Sequence, residues 1–106
     1  MATTPPAMAE ALARLWTRFL PEIENRLVLL ESAARSLEAG LLSGKEREAG
    51  HQAAHKLAGV LGTFGLHRGT DLARQAEVVL AGDAPASTGD LTAWVAELRS
   101  LIESRK

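Results

Sequence analysis

The sequence predicts an all-α protein: an antiparallel up-down-up-down four-helix bundle with a short extra helix at its N-terminus. Three observations lead there. Ala, Leu, Glu and Arg dominate the composition, and all four favour helix. Apolar residues recur at spacings of three and four along five successive segments. No segment reads as a strand, and the breaks between the periodic stretches are short, which favours antiparallel neighbours.

The first stripe is Met8, Leu12, Leu15, Trp16 and Phe19. It predicts a helix ending near Leu20 and lying as a lid across one end of the bundle. Thr3 or Thr4 is placed to cap it. Pro5 and Pro6 fall in its first turn, where a missing N–H costs little. Residues 1–4 are expected to fray. Pro21 should break or bend the chain and start a second helix. That helix carries Ile23, Leu27, Leu30, Ala34, Leu37 and Leu41, with Gly40 as a C-terminal cap. Ser43-Gly44-Lys45-Glu46 reads as a capping box: the serine oxygen accepts from the Glu46 N–H, and the Glu46 carboxylate from the Ser43 N–H. A third helix then runs from about Gly44 to Phe64 or Gly65. The fourth spans Leu66 to Leu80, with Leu72, Ala73, Ala76, Val79 and Leu80 as its apolar side. Residues 82–87 are the clearest loop. Ser87 or Thr88 caps the fifth helix, whose stripe is Leu91, Val95, Leu98 and Ile102, widened by Trp94 and Leu101.

A chain of 106 residues, 46% of them apolar, is expected to form one domain over residues 1–106 with one modest core. Only four residues are aromatic, so Leu, Ala and Val must fill that core, joined by Trp16, Phe19 and Phe64. A net charge of −1, without long runs of either sign, argues against a nucleic-acid or membrane-surface protein. The absence of cysteine removes disulfides, thiolate catalysis and cysteine-based zinc sites. No apolar run approaches the ~20 residues of a membrane span. The first residues lack the charged and apolar blocks of a signal peptide. A soluble, cytoplasmic, monomeric protein is expected.

The chain is organised around His51 to Gly65. On a helical wheel, Leu57, Val60, Leu61 and Phe64 share one face, with Gly50, Ala53 and Ala54 beside them. His55 falls on the opposite face, among His51, Gln52, Gly59 and Gly62. A glycine inside a helix costs ~1 kcal/mol relative to Ala. Two of them on an exposed face suggest that another surface must come close to His55.

This stretch resembles the histidine-containing phosphotransfer (HPt) domain of multistep two-component signalling. The resemblance rests on Ala54-His55-Lys56-Leu57-Ala58-Gly59, followed by Gly62, Gly65, Leu66, Leu72 and Glu77. It covers about a quarter of the chain. It implies a helical bundle in which His55 is phosphorylated on Nε2. The partners implied are a receiver domain, a hybrid histidine kinase, or both. The receiver would bring the aspartate, the lysine and the Mg²⁺, and this chain would bind no cofactor and be no enzyme on its own. One position departs from the pattern: where the family has a lysine three residues after the histidine, this chain has Ala58.

The residues themselves support that chemistry. Imidazole keeps a free ring lone pair near neutral pH and can attack an acyl phosphate in line. Phosphoryl transfer also needs positioning and charge neutralisation. Yet the chain has no Walker-type loop, and no cluster of carboxylates lies beside His55. His51, Lys56 and Arg68 are the cations placed to screen a phosphate. Gln52, Ala58, Gly59 and Gly62 are expected beside it as neighbours or docking surface. His51 and His55 lie one turn apart, as metal ligands do. With no cysteine and no glutamate at the metalloprotease position, no metal site is expected. A rival reading is a non-phosphorylated adaptor or kinase-inhibitor domain of the same fold.

Overall fold

The computed structural model describes residues 5–82 and 88–106. The expected caps at Thr3, Thr4 and Ser87, the fraying of residues 1–4 and the loop at residues 83–87 lie outside them, as does the Thr88 side chain. The described residues form four helices: α1 (Pro6–Glu38), α2 (Gly44–Thr63), α3 (His67–Ala81) and α4 (Thr88–Arg105). Each packs on its sequence neighbours, and α4 closes the ring against α1. Paired contacts run in opposite directions along every α1–α2, α2–α3 and α1–α4 seam, as in an up-down-up-down bundle.

The separate N-terminal helix is not present. Residues 6–20 run straight through Pro21 into one helix of 33 residues. Proline removes one i→i−4 hydrogen bond, and the carbonyl it frees belongs to Thr17, an exposed residue whose backbone water can reach. On either side, Trp16, Ile23, Leu27 and Leu30 are buried on one stripe, and a kink would misalign it. Packing thus outweighs local propensity. We expect Pro21→Ala to raise stability by ~2 kcal/mol, the helix-interior penalty less the unfolded-state entropy that proline saves. Urea unfolding measures this, and no gain would mean that the helix bends at Pro21 without cost.

Continuity has a second result. At 1.5 Å per residue α1 is about 50 Å long and α2 about 30 Å, so the start of α1 runs past its neighbours. Met8 and Leu15 of the first apolar stripe, and Phe19, expected in the core, are exposed there at 56, 39 and 38%. Trp16 marks where the bundle begins. It meets Phe64 edge-on at 5.2 Å, and the Arg105 guanidinium sits 5.5 Å over its ring. The core beyond it is Leu, Ile and Ala, with Val95 the one buried valine among the described residues.

The helix ends follow from their sequences. Gly40 and Gly65 both take left-handed φ, +73° and +75°. Each closes a Schellman turn: Gly40 and Leu41 donate to Leu37 and Ser36, and Gly65 and Leu66 donate to Gly62 and Leu61. Ser43 caps α2 through Glu46 N–H at 3.0 Å. The other half of the capping box is replaced. The Glu46 carboxylate turns to α1 and accepts from Ser36 at 2.7 Å and Ser32 at 3.4 Å, tying the two helices together. Along the α1–α4 seam, Arg99 bridges Glu24, Glu31 and Glu103. Lys106 and Arg99 hold the Glu24 carboxyl below its usual range.

Where α2 meets α3 the helices approach closely. A Cβ on Gly50 would come within 3.1 Å of Leu80 Cδ1, and one on Gly69 within 3.0 Å of Leu61 Cδ1. Thr70 is the one buried polar side chain among the described residues, and its hydroxyl donates to the Ala58 carbonyl at 2.9 Å. This pins α3 against α2 one turn beyond His55.

Candidate functional site

His55 stands on the outer side of α2 with its side chain 69% exposed. Its Nδ1 lies 2.8 Å from Glu77 Oε2 on α3. An ionised carboxylate only accepts, so the ring donates its Nδ1–H, and the lone pair is left on Nε2 at the opposite edge. His51, one turn earlier, is less exposed at 29%, and its Nε2 is 3.8 Å from the same carboxylate oxygen. A cleft of about 470 Å³ between α2 and α3 is lined by His51, His55, Ala58, Gly59, Arg74, Glu77, Val78 and Ala81. It is wide open on one side.

The structure brings together only some of the expected residues. His51, His55, Ala58 and Gly59 line the cleft. Gly59 has open space where a side chain would stand. Ala58 is buried, with only a methyl group facing the cleft. Gln52 lies aside and donates to Glu48 at 3.0 Å. Lys56 is exposed but does not line the cleft. Gly62 belongs to the helix contact and not to the exposed face, because a Cβ there would come within 3.3 Å of Thr70 Oγ1. Arg68 turns away to α4 and makes a two-bond pair with Glu97, at 2.7 and 3.0 Å. That pair holds the Glu97 carboxyl below its usual range. Among the described residues no group of three or more His, Cys, Asp or Glu is arranged to hold a metal ion.

Two polar residues of the cleft were not nominated for the site from the sequence: Arg74, and Glu77, which was named only among the residues that carry the family resemblance. Glu77 lies next to Ala76 and one turn before Leu80, at the border of the buried α3 stripe. A half-buried carboxylate in that position needs a partner, which is the signal that could have found it. Arg74 is three residues before Glu77 on the same side of the helix.

An exposed imidazole on a helical bundle, oriented by a neighbouring carboxylate and bordering an open cleft, is what α2 and α3 present together. A family model described as Hpt domain matches residues 14–104, nearly the whole chain, and the chain belongs to that family. Its general role is therefore that of a phosphorelay intermediate, a phosphocarrier module and not a catalyst by itself. Among curated proteins it is similar to Protein RcaC of Microchaete diplosiphon, with 37% identity over 71 residues. That match covers 67% of this chain but only 11% of the relative, so the chain corresponds to a small part of that protein. No solved structure matches the chain. No helix among the described residues is long and apolar enough to cross a membrane.

Proposed function

We propose that His55 is the phosphoacceptor, taking a phosphoryl group from a receiver-domain aspartate or returning one to it. The observation that carries this reading is the Nδ1–Glu77 bond on an exposed ring. It leaves Nε2 as the nucleophile. The N–P bond forms at Nε2 as the P–O bond of the aspartyl phosphate breaks, and the aspartate leaves as carboxylate with the bonding pair. The Nδ1 proton stays in place, and Glu77 stabilises the positive charge that the ring acquires. The cleft offers one carboxylate and two imidazoles, a poor set for Mg²⁺, which takes oxygen ligands in octahedral geometry. We therefore assign the divalent cation to the receiver. A hybrid histidine kinase fits as the other partner in the relay.

The test is incubation with a phosphorylated receiver, followed by phosphorus–nitrogen NMR on nitrogen-labelled protein. The expected product is an acid-labile phosphoramidate on His55 Nε2; phosphate on Nδ1 or on another histidine would overturn the reading. Glu77 should matter through the tautomer it enforces. Glu77→Ala is expected to slow transfer about tenfold, in line with other partners that orient a functional histidine. Glu77→Gln keeps an acceptor and should retain more activity than Glu77→Ala; the reverse order, in receiver-to-His55 kinetics, would remove the tautomer argument.

A further inference from the structure

We propose that Arg74, reaching across from α3, is the cation that holds the phosphoryl group on His55, in place of the α2 lysine that this chain lacks. The inference rests on the phosphohistidine reading above. It starts from a deficit on α2: position 58, three residues after the histidine, carries a methyl group. Of the three cations expected to screen the phosphate, Lys56 lies outside the cleft, Arg68 is engaged by Glu97, and His51 faces the Glu77 carboxylate at 3.8 Å.

Arg74 lines the cleft with His51, His55 and Glu77. Among the described residues it makes no hydrogen bond or ion pair. Of the two carboxylates three residues away on its own helix, Asp71 makes no pair with it and Glu77 has an oxygen committed to His55. An unpaired guanidinium beside an oriented imidazole has a ready task. A phosphoryl group on Nε2 brings about two negative charges and three acceptor oxygens, and the planar fork of arginine matches them with two parallel N–H bonds. In the transfer itself the same contact neutralises charge while the P–O bond breaks and the N–P bond forms. Arg74 and Glu77 then divide the work from one helix: the carboxylate holds the ring proton at Nδ1, and the guanidinium holds the phosphoryl oxygens at the other edge.

The test compares wild type, Arg74→Gln, Arg74→Lys and the double variant Arg74→Gln/Ala58→Lys, each incubated with a phosphorylated receiver. Readouts are the transfer rate, the equilibrium fraction of phosphohistidine, and their dependence on salt. Arg74→Gln should lower both rate and phosphorylated fraction about tenfold, with unchanged helical content. Arg74→Lys should keep most of the activity. Adding Ala58→Lys should restore much of the loss, because it returns a cation from the α2 side. Salt should slow wild type and the double variant but not Arg74→Gln. If wild type is labelled on His55 and Arg74→Gln matches it in rate and extent, the arginine assignment falls and the phosphohistidine reading stands. If wild type takes no label on His55, both fall.

Discussion

The His55→Gln protein is expected to keep the helical content of the parent and to take no label from a phosphorylated receiver. Stability should be nearly untouched, because the His55 side chain is 69% exposed and its hydrogen-bond partner is Glu77, to which a glutamine amide can also donate. Changes at exposed sites of this kind stay within about 0.5 kcal/mol. Labelling should be lost outright, since an amide nitrogen has no nucleophilic lone pair. His51 is the informative control. It shares Glu77 with His55 at 3.8 Å but is less than half as exposed. Acid-labile label persisting on His51 or His67 in this variant would move the acceptor role to that residue.

The second large effect separates fold from function at Gly59. An added side chain meets open space there, with no atom within 4 Å. Gly59→Ala should therefore stabilise the protein by ~0.5–1 kcal/mol, through helix propensity and a less flexible unfolded chain. Gly59→Gln should cost little stability. It should nonetheless slow transfer about a hundredfold, because in-line attack needs the reacting atoms to approach to ~3–3.5 Å and a glutamine one turn from His55 holds the receiver off. Gly62 provides the contrast. A Cβ there presses on Thr70 Oγ1, a hydroxyl already committed to the Ala58 carbonyl, so Gly62→Ala should give little or no stabilisation. Thermal unfolding and stopped-flow transfer on the three variants read both sides. Undiminished transfer by Gly59→Gln would remove the docking role of this glycine.

The pair Gly59 and Gly62 also shows what one sequence discloses. A helical wheel sets both near His55, and for Gly59 that suffices. Gly62 lies about 10 Å from His55 along the axis, where the start of α3 has come into contact. A wheel records angle about one helix and not the path of its neighbour. Helix periods, the Ser43 cap and the turns at Gly40 and Gly65 were legible because their causes are local. The continuity at Pro21 was not, because buried Trp16, Ile23 and Leu27 outweigh a local signal. Likewise, His55 was legible from its own helix, whereas Glu77 and Arg74 enter the cleft only through the α2–α3 packing.

The hydrogen bond from Thr70 to the Ala58 carbonyl gives that packing a mechanical meaning. His55 rides on one helix, while Glu77 and Arg74 ride on the next. The chemistry of the ring therefore depends on how far one rod has slid along the other. A slip of one residue, about 1.5 Å, would turn the 2.8 Å bond at Nδ1 into a mere contact and release the ring to either tautomer. The Thr70 hydroxyl, bonded one turn beyond His55, stands as a stop against that slip. The gauge that orients the His55 ring is thus built into the helix interface.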